Sequence, residues 1–432
     1  MRKLFYNGVI VTGEKGKIIK NGFIVVENGM IQTVESGDPR LSFHDIAERV
    51  NLNGHWVLPG LVNTHGHIGS TLLRGYGDDL PLDVWLKTKM WPMEGKFTEE
   101  TIHAAASLAI LEMQKSGTTT FLEMYHLHLE TIAALVQQSG IRAVITRGMI
   151  GLCSYNEQEQ KLTEAIHLSK SLKRFGDGRI STMLAPHAPY TCPPAFLEMI
   201  VLEAKKNNLP IHIHLSETAK EVNEHVEKYG KRPAIHLAEL GVFDVHTLIA
   251  HGVHLDDEEF EVLANNRVAV SHNPISNLKL GSGIAKIPKM LSKNILVGLG
   301  TDSAASNNNL DMFQEMRMAA LIHKGNLENA TVVSAEEVLV MATKNGAKAL
   351  ALENIGVIQE GKEADFIVVD SQQPHLQPND HVTSHIVYSA SGADVLDVYV
   401  KGNCLVRNKQ CLSLDEEKII YEANRAFQNL LK

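Results

Sequence analysis

Between residues 58 and 355, short apolar segments typical of buried β-strands alternate with segments of helical periodicity. Strands that alternate with helices in this way form parallel βα units. Eight strand candidates end near His65 and His67, Met124, Arg147, His187, His214, His251, His272 and Asp302. Eight parallel strands are the number that closes a TIM-type (β/α)8 barrel. The alternation therefore predicts an α/β protein with such a barrel at its centre.

Capping signals support two of the predicted helices. One helix is expected over residues 98 to 116, because Thr98 is suited to cap its start and Gly117 to end it. Ser334 and Glu337 have the spacing of a capping box, which indicates the start of another helix.

Both ends of the chain are rich in β-strand patterns. Residues 1–57 contain the turn dipeptides Asn7-Gly8, Asn21-Gly22, Asn28-Gly29 and Asn53-Gly54, which favour tight hairpins because Asn and Gly accept a positive φ. A second β-rich region follows residue 356. Because a lone hairpin is only marginally stable, we predict one discontinuous β-sandwich from residues 1–57 and 356–432, flanking a barrel of residues 58–355. Two unrelated β extensions are the alternative.

The last segment of the chain, residues 414–432, is amphipathic. It predicts a C-terminal helix that packs either on the barrel or on a neighbouring subunit. The sequence leaves these two options open.

A His-x-His motif follows the first apolar run of the barrel region. Successive side chains of a strand alternate between its faces, so His65 and His67 are expected to point to the same side. Gly66 between them allows a ligand to approach closely. Two imidazoles on one side suit zinc or iron. A pair of surface or hydrogen-bonded histidines is the alternative reading of such a short motif.

Other strand candidates also end in residues that bind metals or transfer protons. His214 ends one apolar strand, His251 another, and Asp302 follows a third. The carboxyl ends of barrel strands form the active-site mouth, so these side chains should meet there. The resulting candidate ligand set has three imidazoles and one carboxylate: His65, His67, His214 and Asp302.

A divalent ion held by such a set lowers the pKa of a water to about 7. Glu217, three residues beyond His214, is placed to move a proton onto the substrate, and His251 to orient the water. A helix-start carboxylate and a buried structural histidine are the alternatives for these two residues. His212 lies one layer deeper than His214, so we interpret it as a hydrogen-bonded barrel histidine.

The net charge and the cysteine content limit the classes of binding partner and the cellular compartment that we expect. A net charge of −9 over 432 residues disfavours nucleic acid and anionic membranes, which require a basic face. The four cysteines are widely separated and contain no Cys-x-x-Cys, which fits a reducing cytoplasm better than a disulfide scaffold. We find no signal peptide and no apolar stretch of about 18 residues that would predict a membrane span. A small soluble substrate is therefore expected.

The motifs, taken in order, resemble those of the amidohydrolase superfamily, in its mononuclear deaminase branch. The similar segments are residues 59–67, His214-Leu215-Ser216-Glu217, His251-Gly252, Ser271-His272-Asn273-Pro274, Gly300-Thr301-Asp302 and Gly361-Lys362-Glu363-Ala364-Asp365. The resemblance implies a (β/α)8 barrel beside a β-sandwich, one divalent metal, usually zinc and sometimes iron, and hydrolysis of a carbon–nitrogen bond on a heterocycle. Binuclear relatives need a lysine near the fourth strand end, where this chain has Pro186-His187.

Within that branch, residues 82–86 and 91–94 most resemble the enzymes that deaminate 5-methylthioadenosine and S-adenosylhomocysteine. By that similarity Glu94 would hold the ribose hydroxyls, His187 would contact the nucleoside, Trp85 would wall the pocket and Arg147 would meet the polar end of the substrate. A core tryptophan, a solvated glutamate and a rim ion pair are the alternatives. Some relatives use a second arginine after the third strand, and residues 151–160 contain none.

The reaction implied is 6-amino purine nucleoside plus water giving the hypoxanthine nucleoside and ammonia. Glu217 would protonate the ring nitrogen, and Asp302 would accept the water's proton and pass it to the leaving ammonia. Guanine or cytosine deaminases and triazine-type hydrolases share the motif set and remain alternatives. A non-catalytic assembly protein with the same shell is the alternative of another class. The oligomeric state is left open, although homo-oligomers are common for such enzymes.

Overall fold

Two β-sheets organise the structure. The computed structural model describes residues 2–39, 43, 45–173 and 175–432. The N-terminal part contributes the strands β1 (Arg2–Val11), β2 (Ile18–Glu27), β3 (Met30–Ser36), β4 (Glu48–Asn51) and β5 (Trp56–Pro59). The barrel contributes β6 (Leu61–Asn63), β7 (Thr118–Tyr125), β8 (Arg142–Met149), β9 (Ile180–Pro186), β10 (Ile211–Leu215), β11 (Thr247–His251), β12 (Ala269–His272) and β13 (Leu296–Leu299). The C-terminal part adds β14 (Phe366–Val369), β15 (Val395–Val400), β16 (Asn403–Arg407) and β17 (Gln410–Cys411).

Helices surround the barrel and cover its mouth. The α-helices are α1 (Leu82–Trp85), α2 (Trp91–Glu94), α3 (Glu99–Lys115), α4 (Leu129–Ser139), α5 (Tyr155–Leu172), α6 (Pro194–Asn207), α7 (Ala219–Tyr229), α8 (Pro233–Glu239), α9 (Asp257–Asn265), α10 (Pro274–Lys279), α11 (Ile287–Ser292), α12 (Ala304–Asn307), α13 (Met312–Asn326), α14 (Ala335–Val340), α15 (Gly346–Ala349), α16 (Val382–Tyr388) and α17 (Glu416–Leu430). Short 3-10 helices cover Ile68–Leu73, Phe175–Gly178, Val242–Asp244, Pro374–Leu376 and Gly392–Asp394. Leu86–Met90 and Met341–Asn345 are π-helical turns.

The barrel strands follow one another in sequence order, and every neighbouring pair is parallel. The last strand returns to the first, where Thr64 N donates to Leu299 O over 2.9 Å. Helices cover the outside of the barrel, so its strands are buried on both faces and have continuous runs of buried residues. The predicted (β/α)8 barrel is therefore confirmed.

The second sheet joins both ends of the chain. Its order is β17-β16-β15-β14-β5-β1-β2-β3, and β4 pairs with β1. The junction is β14 antiparallel to β5, with Phe366 opposite Pro59. Phe5, Phe366 and Tyr399 pack on one another with ring centroids 4.8 to 5.0 Å apart. One discontinuous β domain is thus confirmed over two unrelated extensions, whereas its boundaries at residues 57/58 and 355/356 stay a prediction.

The expectation of a tight hairpin at every Asn-Gly pair is wrong. Only Asn28-Gly29 connects two adjacent antiparallel strands directly, β2 and β3. Asn7-Gly8 and Asn21-Gly22 lie within β1 and β2, next to shifts in their pairing register, and Asn53-Gly54 lies between β4 and β5. All four asparagines have a positive φ, between 47° and 60°. The sequence therefore indicated the backbone conformation correctly, but β-bulges use the same conformation as hairpin turns.

Both predicted helix starts are confirmed. Thr98 caps α3 by accepting a hydrogen bond from Thr101 N, and Ser334 forms a capping box with Glu337 at α14. The terminal helix α17 packs on α3 of the barrel through Ala423, Ala426 and Leu430. Among the described residues, no helix combines the length and apolar character that crossing a bilayer requires.

A buried ion pair connects the barrel to the β domain. Arg142, at the start of β8, donates from Nε to Asp365 Oδ2 over 2.9 Å and also pairs with Glu363. The side chains of Arg142 and Asp365 are 4 % and 1 % exposed. Breaking a buried pair from one side leaves the other charge uncompensated.

We therefore expect Arg142→Ala to lower the free energy of unfolding by about 3–5 kcal/mol, as measured by urea unfolding. Arg425→Ala is the matched control, because Arg425 pairs with Glu100 on the surface, where both side chains are at least half exposed. Its effect should stay below about 1 kcal/mol. Equal losses in the two variants would contradict a connecting role for Arg142.

Candidate active site

A cavity of about 530 Å³ opens at the carboxyl ends of the barrel strands. Every predicted site residue except His65 lines it: His67, Trp85, Glu94, Arg147, His187, His214, Glu217, His251 and Asp302. His65 lies directly behind His67, fully buried, with ring centroids 4.8 Å apart. Chain segments separated by more than 200 residues thus meet at one point.

Ring nitrogens and one carboxylate converge at the floor of this cavity. The nearest side-chain ligand atoms of His65, His67 and Asp302 lie within 4.8 Å of one another, and so do those of His65, His214 and His251. Asp302 Oδ1 lies 3.5 Å from His65 Nε2 and 3.4 Å from His67 Nε2. The predicted ligand set therefore comes together, and His251 stands beside it.

The other nitrogen of each ring is held by the protein. His67 Nδ1 donates to Met124 O, and His214 Nδ1 donates to His187 O over 2.7 Å. His212 Nδ1 donates to Leu248 O, so its Nε2 is free to accept from His65 Nδ1 over 2.8 Å. In His65, His67 and His214, the hydrogen bond from Nδ1 orients the ring and leaves the Nε2 lone pair directed at the centre. His212 has the hydrogen-bonded role expected for it.

The centre fits a divalent cation. His65 Nε2 is buried and has no hydrogen-bond partner among the described residues. A buried nitrogen without a partner is unfavourable unless something else satisfies it. Burial lowers the pKa of His65 to about 4 and that of His214 well below its ordinary value, so both rings are neutral at pH 7. Neutral imidazoles and an ionised aspartate are the forms that bind metals.

Asp302 stays ionised in spite of its burial. Burial alone would raise its pKa, but the nearby rings of His65, His67 and His251 hold it well below the usual value. Ser276 Oγ donates to Asp302 Oδ2 over 2.6 Å, and Ser303 N donates to Oδ1 over 2.7 Å. These hydrogen bonds fix the orientation of the carboxylate.

The carboxyl group of Glu217 lies beside the ring of His251, with 3.8 Å between Glu217 Oε2 and His251 Nε2. Burial raises the pKa of Glu217. The backbone NH groups of Ser216 and Glu217 donate to Glu221, and Thr218 caps α7. Glu221 and Thr218 therefore support the helix start, and the carboxyl of Glu217 remains directed into the cavity.

Three residues at the strand ends have left-handed backbone conformations. The φ angles are 51° for Ser216, 75° for His251 and 62° for Asp302. Such conformations in residues with a side chain are strained by about 1–3 kcal/mol and cluster at functional sites. Here they turn the side chains of His251 and Asp302 toward the cavity.

The residues expected to contact a substrate line the outer part of the cavity. Glu94 accepts a hydrogen bond from the Tyr125 hydroxyl over 2.8 Å, and burial raises its pKa. Trp85 is 7 % exposed and presents its ring to the cavity. Arg147 pairs with Glu164, and His187 Nδ1 lies 3.0 Å from Thr191 Oγ1. His272, by contrast, packs on His323 outside the cavity.

Sequence reasoning missed several supporting residues. Tyr125 escaped notice because the strand end was expected at Met124, whereas β7 continues to Tyr125. Glu123 accepts from Ile68 N over 2.6 Å and so anchors the chain after His67. The spacing Thr218-x-x-Glu221 was a readable signal for the capping of α7. No sequence pattern pointed to the contact of Ser276 with Asp302.

Comparisons with known proteins agree with this geometry. Residues 56–405 match the model of the Amidohydrolase family. The chain is similar to a 5-methylthioadenosine/S-adenosylhomocysteine deaminase of Halalkalibacterium halodurans, at 52% identity over 100% of this chain and 99% of the relative. A protein of the same name from Shouchella clausii is 47% identical over 100% of both chains. A zinc-bound adenosine deaminase from Xanthomonas campestris has a similar structure, with a TM-score of 0.93 and 34% identity, covering 99% of this chain and 98% of that one.

Proposed function

The chain belongs to the amidohydrolase family, and we propose that it removes the 6-amino group of adenosine-type nucleosides by hydrolysis. It is a hydrolase of carbon–nitrogen bonds other than peptide bonds. The proposed substrates are 5-methylthioadenosine, S-adenosylhomocysteine and adenosine itself, and the products are the inosine analogue and ammonia. One observation carries the proposal: a single cavity is lined by three members of the candidate ligand set, His67, His214 and Asp302, and by the predicted nucleoside contacts Trp85 and Glu94.

His65, His67, His214 and Asp302 would hold one divalent ion, and we propose zinc, with iron as the other fitting ion. When bound, such an ion acts as a Lewis acid and lowers the pKa of a water to about 7. Two observations support the binding of one divalent ion. The donor atoms lie close together, and His65 Nε2 has no hydrogen-bond partner among the described residues.

The chain's own groups would move the protons. Glu217, whose pKa is raised by burial, is the group placed to donate a proton to the ring nitrogen next to the amino-bearing carbon. Asp302 is ionised and can accept a proton from the attacking water and deliver it to the leaving ammonia. His251 Nδ1 is held by Asn277 Oδ1 at 2.8 Å, which leaves Nε2 to orient the water.

The outer part of the cavity would hold the nucleoside. A carboxylate accepts hydrogen bonds from two vicinal hydroxyls, so Glu94 suits the ribose. The Trp85 indole provides a flat apolar wall for a purine, and His187 provides a polar contact. Arg147 suits the polar end of the 5′ substituent.

Tyr125 orients Glu94 in this arrangement and is therefore expected to act on ribose recognition. Tyr125→Phe should raise KM for adenosine about three- to tenfold with little change in kcat, because one hydrogen bond to a charged group is lost. Steady-state kinetics with adenosine measures this effect, and Tyr155→Phe is the control, since Tyr155 is an exposed tyrosine. An equal change in kcat would indicate that Tyr125 acts on the chemical step instead.

The proposal is tested by incubation with 5-methylthioadenosine. We expect a shift of the purine ultraviolet band and release of one ammonia for each nucleoside. No turnover of any adenosine-type compound would overturn the substrate assignment. A panel with guanine, cytosine and a chlorotriazine separates the related activities. A purified protein without stoichiometric metal, unaffected by a chelator, would favour a non-catalytic assembly protein.

We also propose that the enzyme works in the cytoplasm. All four cysteines are unpaired, which suits a reducing compartment. The partners are small nucleosides, with neither nucleic acid nor membrane involved. A homo-oligomer is proposed on the general frequency of symmetric assemblies among soluble enzymes, and light scattering would test it.

A further inference from the structure

One cation in the cavity has no role in the site described above. Lys161, on α5, lines the cavity together with Arg147 on β8. Its ammonium donates to Ile150 O over 2.8 Å and to Cys153 Sγ over 3.4 Å. An ammonium has three N–H donors, so one remains for a ligand.

The charge of Lys161 is not neutralised by a direct contact. Among the described residues, no carboxylate oxygen forms an ion pair with its Nζ within 4.0 Å. The nearby Glu164 is already paired with Arg147 and also accepts from Gln160. An ammonium without an ion-pair partner among the described residues, at the edge of a cavity, favours an anionic group of the ligand.

Arg147 and Lys161 act on the same region of the cavity. Burial, together with the charges of Arg147 and Lys161, lowers the pKa of His126, a third lining residue, to about 4. His126 is therefore neutral and does not compete as a cation. Arg147 on β8 is the register partner of Tyr125, which donates to Glu94, and Lys161 contacts Ile150, the residue after β8. Both cations therefore lie on the β8 side of the cavity.

We propose that Lys161 is a specificity-determining residue that binds a carboxylate at the far end of the 5′ substituent of the nucleoside. The inference rests on the proposed function, because the position of the ribose at Glu94 sets the direction of that substituent. The second cation is then residue 161 on α5, since residues 151–160 contain neither lysine nor arginine. S-adenosylhomocysteine, which ends in an amino-acid carboxylate, then becomes a preferred substrate.

Lys161→Gln tests the proposal through a ratio of substrates. We expect kcat/KM for S-adenosylhomocysteine, divided by kcat/KM for adenosine, to fall about 10- to 100-fold, because a hydrogen bond to a charged group is lost. The loss should lie mainly in KM. Lys161→Arg should restore most of the ratio, since the guanidinium keeps the charge. Lys170→Gln, on the same helix but lining a different groove, is the matched control.

A second measurement separates recognition from a structural role. The decarboxylated analogue of S-adenosylhomocysteine lacks the group that Lys161 is proposed to bind. Removal of the carboxylate should therefore lower kcat/KM strongly in the wild type and only slightly in Lys161→Gln, because the two losses concern the same contact.

The outcomes are distinct. A wild type that deaminates adenosine, combined with an unchanged substrate ratio in Lys161→Gln, would overturn the role of Lys161 and leave the proposed function standing. Equal losses with all substrates would also overturn it, since Lys161 would then only support the backbone at Ile150. A wild type inactive toward every adenosine-type compound would overturn the proposed function itself.

Discussion

Replacing Glu217 with glutamine is expected to lower kcat for 5-methylthioadenosine by about 10²- to 10⁴-fold, the range typical of a general acid–base residue. Glutamine keeps the size and the polar contacts of the side chain, but its amide has no acidic proton to give to the purine ring. Glu217 is buried in the cavity floor and faces His251, so bulk water cannot easily replace it. The loss is measured by the decrease of the purine ultraviolet band.

Glu224→Gln is the matched control for this variant. Glu224 lies on the following helix α7, and its side chain is 61% exposed. It should retain wild-type turnover. The metal content and the thermal midpoint of Glu217→Gln should also equal those of the wild type, which shows that the fold and the ligand set are intact. A decrease in kcat of less than about tenfold would contradict proton donation by Glu217.

Removing one ligand of the proposed metal centre is expected to have an effect at least as large. His214→Ala deletes the Nε2 that points at the centre and leaves His65, His67 and Asp302 as an incomplete set. We expect the metal content to fall below one ion per chain and kcat/KM to fall by at least about 10³-fold, because the Lewis acid contributes several kcal/mol. Elemental analysis and kinetics measure the two quantities.

His167→Ala is the control for the ligand variant, because His167 is exposed on the outer side of α5. It should keep both metal and activity. In the wild type, a chelator should abolish turnover and added zinc should restore it. Full activity of metal-free protein, or of His214→Ala, would contradict a metal-dependent reaction.

The sequence predicted the barrel well because its signals are local. A buried strand has a continuous apolar run, a helix has its own periodicity and its caps, and both depend on residues only a few positions apart. His65, His67, His214 and Asp302 each followed such a run, so their place at the strand ends could be read directly. The same local reasoning mistook the Asn7-Gly8 and Asn21-Gly22 pairs for hairpins, since a positive φ does not identify the strand that pairs with it.

Small errors in element ends had large consequences for the site. Expecting the second barrel strand to end at Met124 hid Tyr125, the residue that holds Glu94. Residues 151–160, where a second cation was expected, contain none, whereas α5 brings Lys161 to the cavity after about a turn and a half of helix. Side chains that reach a site from a neighbouring helix have no motif of their own.

The amino-acid sequence by itself determined which segments become strands and helices, and which polar side chain stands at the end of each strand. Only the tertiary structure decided how those side chains combine. His212 holds His65 across 147 residues, Ser276 holds Asp302 across 26, and Arg142 reaches Asp365 across 223. Such contacts depend on closure of the barrel and on its packing against the β domain, which bring distant segments within hydrogen-bond distance, and no local pattern encodes that distance.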